Sequence, residues 1–140
     1  RAVTAAGAVC AAMEALDVRR ITILTPYVAE VARIGTEFFR GVGYDIVSEA
    51  HMGCSLIRDI CRLQPDQILR TAMVTVQPDT QLLFLSCTNL PTLELIPELE
   101  RTLGIPVISS NQAGIWAALR AGTVSVEVGK GQFGQLFQHL

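Results

Sequence analysis

Hydrophobic positions along the chain follow two periods, one typical of helices and one typical of buried strands. An alanine-rich first segment spaces its apolar side chains three or four residues apart, which predicts a helix. Arg19 and Arg20 follow this segment and suit the negative end of the helix dipole. Short apolar runs, nearly continuous, are typical of parallel strands buried on both faces. The predicted strands are 21–27, 44–50, 81–86 and 105–110.

The segments between these strands carry helical periodicity and end at glycines. The helix predicted over 28–41 places Val31, Ile34, Phe38 and Phe39 on one face, and we expect this face to be buried. The other predicted helices are 56–63, 65–76, a helix that Asn89 caps and Gly104 ends, and 112–121 capped by Asn111.

Strands that alternate with helices predict parallel pairing and right-handed crossovers. We therefore expect an α/β fold, with a parallel four-stranded sheet and helices on both faces, of the flavodoxin-like kind. The α/β domain is placed at residues 1–122, and residues 123–140 form a glycine-rich C-terminal tail. The length of 140 residues suits one domain.

Composition excludes several classes of protein. Half of the residues are hydrophobic, 17% are charged and the net charge is −2, which favours a compact core over disorder. No basic stripe predicts a nucleic-acid partner, and no apolar run reaches membrane-spanning length, so we expect a soluble protein without a membrane partner. The four cysteines have neither disulfide-scaffold nor zinc-site spacing. We predict a cytoplasmic location and no metal, although His51, Cys54 and Cys61 lie near one another in sequence.

Small polar side chains follow several strands at the point where each strand ends. In parallel sheets these carboxyl ends meet at one edge, where ligands bind near a topological switch point. Small polar groups next to helix N-termini predict a pocket for an anion at this edge. The residues concerned are Thr25, Tyr27, Ser86, Cys87, Thr88, Asn89, Ser109, Ser110 and Asn111.

Cys87 is the candidate reactive residue. A helix N-terminus directly after it would lower the thiol pKa from about 8.5 towards neutrality, where a thiol can both take and give a proton. The backbone N–H or hydroxyl of Thr88 could hold a carboxylate oxygen beside it. The alternative is structural: a buried cysteine that only packs, a half-buried Tyr27 ring, and helix caps at Ser110 and Asn111.

Three stretches of the chain resemble a known family. They are RRITILTPY at 19–27, LFLSCTNLPTLELIPELERTLGIPVISSNQAGIWAALR at 83–120, and FGQLF at 133–137. Together they resemble the aspartate/glutamate racemase superfamily, and within it the branch of maleate cis–trans isomerases and arylmalonate decarboxylases. The resemblance implies two similar α/β halves that enclose an active site, a small dicarboxylate substrate, and neither cofactor nor metal. This chain resembles the second half, and its first helix resembles the one that follows the first-half cysteine loop.

The resemblance also implies roles for particular residues. Cys87 matches the second-half cysteine that donates or accepts a proton, and Tyr27 matches a tyrosine that holds a substrate carboxylate. Thr88 matches the residue whose backbone amide binds substrate, and we add Asn89 and Ser110 to the candidate substrate-binding set.

Two signals disagree about the reaction. Apolar Leu56 or Ile57 stands where the isomerases carry an asparagine, as in the decarboxylases, whereas the CTN triplet is closer to the isomerases. The sequence therefore does not choose between isomerase, racemase and decarboxylase.

Two other interpretations also stay open: a non-catalytic α/β module that binds a small carboxylate, and a structural half that pairs with a like chain as a homo-oligomer. Because the resemblance places the site between two halves, we expect an isolated chain of this length to be inactive.

Overall fold

The computed structural model describes residues 2–122 and 132–140. Its helices and strands follow the predicted order. In chain order they are α1 (Ala5–Ala15), β1 (Arg20–Tyr27), α2 (Ala29–Gly41), β2 (Asp45–Cys54), α3 (Ile57–Ile60), α4 (Pro65–Thr75), β3 (Leu82–Leu85), a 3₁₀ turn (Leu93–Leu95), α5 (Ile96–Leu103), β4 (Val107–Ser109), α6 (Ser110–Ala121) and a second 3₁₀ turn (Gln135–His139).

The four strands form one parallel sheet in the order β2-β1-β3-β4, which confirms the predicted α/β fold. The chain leaves β1 in one direction to form β2 and then crosses back to form β3 on the other side. The topological switch point therefore lies between β1 and β3, and side chains at the carboxyl ends of these two strands share the crevice there.

Helices cover both faces of the sheet, and the alternation of side chains along β3 shows how. Leu82 and Phe84 point into a cluster made with α1, α2 and α6, whereas Leu83 and Leu85 point into a second cluster made with α4 and α5. Both faces of β3 are thus buried, and its carboxyl end is left as the place for a ligand. The largest side chain of the first cluster is Trp116, which is 1% exposed.

Residues 132–140 form a strap that packs onto the domain. Leu136 is fully buried in the first cluster, and the Glu100 carboxylate accepts hydrogen bonds from the backbone N–H of Gln135 at 2.9 and 3.0 Å. Gln112 donates from its side-chain amide to the carbonyl of Phe133. This part of the predicted C-terminal tail therefore completes the core, whereas residues 123–131 lie outside the described residues.

The prediction for the buried face of α2 is wrong for three of its four apolar side chains. Ala32, Thr36 and Phe39 face the sheet instead, because the small side chains allow α2 to approach it closely. The Thr36 hydroxyl also donates a hydrogen bond of 2.8 Å to the Glu49 carboxylate on β2. The exposed side chains are Val31 (50%), Ile34 (70%) and Phe38 (44%).

Two further differences lie around the carboxyl end of β2. The strand continues to Cys54, four residues beyond the predicted end, since Gly53 takes a φ of +75° and pairing with β1 resumes at Tyr27 and Cys54. Cys61 was expected on an apolar helix face, but α3 ends at Ile60 and Cys61 is exposed.

Among the helices of the described residues, none combines the length and apolarity needed to span a membrane.

Candidate active site

Tyr27 and Cys87 meet at the switch point, as their positions after β1 and β3 require. Tyr27 is the last residue of β1, and Cys87 follows the end of β3 by two residues. The backbone N–H of Ser86 still donates to the carbonyl of Leu24 at 2.8 Å, which holds the chain against β1 up to the residue before Cys87. The sheet itself therefore brings the phenol and the thiol together.

Contact with Cys87 changes the acidity of the tyrosine. Burial first, and then a hydrogen bond with the Cys87 side chain, raise the pKa of Tyr27 to about 12. An ordinary tyrosine titrates near pH 10. Because of the raised pKa, the Tyr27 phenol keeps its proton throughout the neutral range, and it can act there as a hydrogen-bond donor to a carboxylate or a thiolate.

The surroundings of Cys87 differ from the predicted helix N-terminus. Residues 88 and 89 form a turn, and α5 begins only at Ile96, because Pro97 rather than Pro91 occupies its first turn. Asn89 therefore does not cap a helix, and the dipole of α5 does not act on the sulfur. The backbone N–H of Asn89 donates to the Cys87 sulfur instead, at 3.3 Å.

Cys87 is also more enclosed than an open strand end suggests. It is 4% exposed and belongs to the second core cluster, whereas Thr88 and Asn89 beside it are exposed. The thiol thus lies just beneath a loop of polar residues.

Asn111 holds the loop in place. Its side-chain amide donates to the carbonyl of Thr88 at 2.9 Å, which fastens the loop to the first turn of α6. The predicted caps of α6 are shifted, because Ser109 is the N-cap and accepts a hydrogen bond from the backbone N–H of Gln112 at 3.2 Å. Ser110 and Asn111 are released from capping and face outward from the first turn.

Two concave surfaces at this edge of the sheet contain predicted binding residues. A groove of about 660 Å³ is lined by Thr88, Ser110 and Asn111, together with Thr4 at the start of α1. A smaller one of about 200 Å³ is lined by Tyr27, Thr25 and Ser86, together with α2. Thr88 and Ser110 thus lie on one of these surfaces and Tyr27 on the other, whereas Asn89 lines neither of them.

Cys54 was missed as part of this neighbourhood, since sequence reasoning considered it only as a metal ligand. It pairs with Tyr27 across the sheet. Burial raises the pKa of its thiol, and the charges of Asp59 and Cys87 raise it further. The predicted strand ended at Ala50 and left Cys54 in a loop, whereas the observed β2 continues to Cys54. The greater length of β2 is the signal that the sequence did not reveal.

His51 does not join a metal site. Its Nδ1 lies 3.3 Å from the Thr25 hydroxyl, and its Nε2 lies 4.0 Å from the Glu49 carboxylate. Across residues 2–122 and 132–140, no three His, Cys, Asp or Glu side chains converge as metal ligands. The chemistry that the arrangement offers is therefore that of a thiol with a neutral phenol and a backbone N–H beside it.

Comparison with known proteins gives related enzymes. The family described as arylmalonate decarboxylase matches residues 1–137. An arylmalonate decarboxylase of Bordetella bronchiseptica is 31% identical over 136 residues, which are 96% of this chain and 56% of that protein. A maleate isomerase of Nocardia farcinica is 27% identical over 126 residues, which are 89% of this chain and 50% of that protein. The chain thus spans about half the length of these relatives.

Solved structures agree with the sequence comparison. A crystal structure of arylmalonate decarboxylase matches with a TM-score of 0.83 and 31% identity over 96% of this chain and 58% of the other. A maleate cis-trans isomerase of Nocardia farcinica, a cysteine-to-serine mutant with a covalently bound succinylcysteine intermediate, matches with a TM-score of 0.88 and 26% identity over 94% of this chain and 54% of the other.

Proposed function

We propose, from the premise that this chain belongs to the arylmalonate decarboxylase family, that it forms the cysteine-bearing wall of a cofactor-independent active site. In this site Cys87 exchanges a proton, or forms a bond, at a carbon next to a carboxylate. The observation that carries the proposal is that the sheet brings Cys87 and Tyr27 together at its switch point, where Tyr27 packs against the core cluster that contains Cys87. The substrate is a small dicarboxylate.

The first candidate reaction is decarboxylation of an arylmalonate, the reaction that names one relative. The bond between the central carbon and one carboxylate breaks, carbon dioxide leaves, and the electron pair moves onto the oxygens of the remaining carboxylate. The Cys87 thiol then gives its proton to the carbon, and the thiolate regains a proton from solvent. Donors aimed at the charged oxygens lower the barrier by about 3–4 kcal/mol each.

The second candidate is cis–trans isomerisation of maleate, favoured by the relative that carries a succinylcysteine. The Cys87 thiolate adds to one carbon of the double bond, and the π electrons move towards a carboxylate. The remaining single bond rotates, the carbon–sulfur bond breaks, and the double bond forms again in the trans arrangement. The N–H of Asn89 supports this route, because it points at the sulfur and can donate to it when the carbon–sulfur bond breaks.

Carboxylate binding falls to the donors around Cys87. We assign the Tyr27 phenol, the backbone N–H of Thr88 and the Ser110 hydroxyl to the carboxylate oxygens, and Asn89 to both sulfur and substrate. Leu56 and Ile57 are 46% and 66% exposed just beyond the end of β2, where an aryl ring could cover them. An aryl substrate would gain from apolar contact there, whereas the CTN triplet at 87–89 is closer to the isomerases, so both reactions are candidates.

Exchange of Cys87 for alanine in the complete gene product tests the proposal. We expect the variant to lose turnover of both maleate and a phenylmalonate by at least about a hundredfold, as for removal of an acid–base catalyst. The matched control is Cys10→Ala, since Cys10 lies on α1 beside Tyr44, at the amino end of β2 and away from the carboxyl ends of the strands. Product analysis by NMR distinguishes fumarate from a monocarboxylic acid. Full turnover by Cys87→Ala would remove Cys87 from the chemistry.

The non-catalytic alternative predicts different behaviour of the thiol. A small dicarboxylate that only binds near Thr88 and Ser110 is neither isomerised nor decarboxylated by the complete gene product, yet it slows alkylation of Cys87. Mass spectrometry of alkylated peptides measures this protection, with the exposed Cys61 as the internal reference. Binding without turnover would therefore favour a carboxylate-binding module.

A further inference from the structure

The peptide unit between Thr88 and Asn89 is held at both of its polar ends. Its carbonyl, that of Thr88, accepts a hydrogen bond of 2.9 Å from the side-chain amide of Asn111. Its N–H, that of Asn89, donates to the Cys87 sulfur at 3.3 Å. The peptide bond is trans, so the carbonyl and the N–H point in opposite directions within one rigid plane. A group that fixes the carbonyl therefore also fixes the direction of the N–H.

The side chain of Asn111 meets the Thr88 carbonyl as a donor. A carbonyl oxygen only accepts hydrogen bonds, so the side-chain nitrogen of Asn111, and not its oxygen, faces it. Hydrogen bonds in a chain polarise one another, so this donation also makes the N–H at the other end of the peptide a stronger donor. Asn111 thus acts on the Cys87 sulfur through a single peptide plane.

The first turn of α6 gives Asn111 a fixed base. Gln112, the next residue, is fully buried, and its side-chain oxygen accepts a hydrogen bond of 3.3 Å from the backbone N–H of Ser109. Its side-chain nitrogen donates to the carbonyl of Phe133 in the strap. The helix cap and the strap therefore hold the backbone of this turn in one position, from which the exposed Asn111 reaches the loop.

We propose that Asn111 is a positioning residue for Cys87, because it orients the 88–89 peptide so that the Asn89 N–H points at the sulfur. This role rests on the proposed function, in which the sulfur gains and loses charge. When the thiol gives its proton to a carbon, or when the carbon–sulfur bond breaks, the electron pair stays on the sulfur and the N–H donates to it. The same donor therefore serves both candidate reactions.

Two substitutions remove the donor without disturbing the fold. Asn111→Asp keeps the shape of the side chain but places a carboxylate against the Thr88 carbonyl, which it repels. A negative charge in the first turn of a helix is favourable, so we expect an unchanged urea midpoint. Asn111→Leu has the same branching with neither donor nor charge, and it separates loss of the donor from the added charge.

Hydrogen exchange of the Asn89 N–H measures the orientation of the peptide independently of any reaction. NMR of the complete gene product, labelled with ¹⁵N-asparagine, follows this signal. The 140 residues contain two asparagines, so either substitution leaves Asn89 as the one asparagine of this chain. We expect the N–H to exchange at least about tenfold faster in both variants, because the freed peptide no longer keeps it on the sulfur.

Turnover by the complete gene product tests the consequence for catalysis. Both variants should lose turnover of maleate or of a phenylmalonate at least about tenfold, as for a misplaced catalytic group. The matched control is Gln77→Glu, which changes another exposed side-chain amide that donates to a carbonyl, that of Thr75. Gln77 lies between α4 and β3, at the opposite edge of the sheet from Cys87, so its exchange should leave turnover and the Asn89 signal unchanged.

Three results would overturn the positioning role: an Asn89 exchange rate that both variants leave unchanged, faster exchange with full turnover, or a loss of turnover that only follows a lower urea midpoint. A loss confined to Asn111→Asp would assign the effect to the added charge and likewise contradict the role. Failure of the proposed function has a different signature, since the wild-type gene product would then turn over neither substrate. The exchange rates would in that case still decide whether Asn111 orients the N–H.

Discussion

Replacing Cys87 by alanine should make Tyr27 a stronger acid, and this effect measures the contact on which the proposed site depends. Burial and the hydrogen bond with Cys87 raise the pKa of Tyr27 from 10.0 to about 12. At pH 11, a phenol with a pKa near 12 is about one-tenth ionised, whereas an ordinary tyrosine is about nine-tenths ionised. Without the sulfur only burial remains, so the pKa should fall below 12 but stay above 10.0.

The same shift affects stability, and its sign follows from proton binding. Because the folded pKa is raised, the unfolded chain releases the Tyr27 proton first, and stability is lost as the pH rises from about 10 towards 12. A shift of two units corresponds to at most about 2.7 kcal/mol, and partial exposure of the ring reduces this to about 1–2 kcal/mol. Cys87→Ala should flatten this alkaline loss of stability.

Tyrosinate absorbance measures the titration directly. The chain contains two tyrosines, so a Tyr44→Phe background leaves Tyr27 as the titrating phenol. Cys10→Ala in that background is the control, since Cys10 lies near position 44 and far from position 27. Circular dichroism at each pH confirms that the chain is folded. If the Cys87→Ala curve superimposes on that of the background, the phenol and the thiol are not in contact and the geometry of the site is refuted.

Two further predictions concern the strap of residues 132–140. Leu136→Ala should lower the free energy of unfolding by about 2–5 kcal/mol, because Leu136 is fully buried. The control Leu140→Ala should lower it by less than about 0.5 kcal/mol, because Leu140 is exposed. Urea denaturation compares the two variants, and equal losses of stability would contradict the docking of the strap. Burial raises the pKa of Glu100, so its contribution to stability is present below the ordinary value of 4.5 and is lost as the pH rises through the folded value. Glu100→Gln should remove this part of the pH dependence of the urea midpoint, and a parallel dependence in both proteins would disprove it.

The alternation of helices and strands could be predicted because it follows from local pattern. Strands such as β3 are short apolar runs buried on both faces, and the predicted and observed segments differ there by one residue at each end. The location of the candidate site could be predicted from the alternation of strands and helices, since parallel strands place their carboxyl ends at one edge of the sheet. That Tyr27 and Cys87 lie at this edge could therefore be predicted from the sequence, whereas their roles in a reaction stay a prediction.

The immediate surroundings of Cys87 could not be predicted, because two prolines compete for one helix start. Pro91 and Pro97 both fit the first turn of a helix, and the pattern favoured the nearer one. The structure uses Pro97, and the intervening residues form a turn and a 3₁₀ segment. The N–H of Asn89 thereby becomes a partner of the Cys87 sulfur, a contact that depends on the shape of the turn and has no sequence period.

The buried face of α2 was mispredicted for a different reason. A periodic apolar stripe indicates a surface that avoids water, but it does not say whether the same chain covers it. Packing of α2 on the sheet uses Ala32 and Thr36, whose small size allows close approach, and these residues contribute little to an apolar pattern. Burial within one chain and association between chains have the same signature in sequence.

The position of Leu136 has a consequence for biosynthesis. This leucine fills the core formed by α1, α2 and α6, yet it is synthesised after all three of these helices. While the ribosome still encloses Leu136, the tryptophan of α6 and its neighbours lack their last apolar contact. Native packing of this layer must therefore await emergence of Leu136 from the exit tunnel, and until then a nascent chain offers an unfinished hydrophobic surface to chaperones.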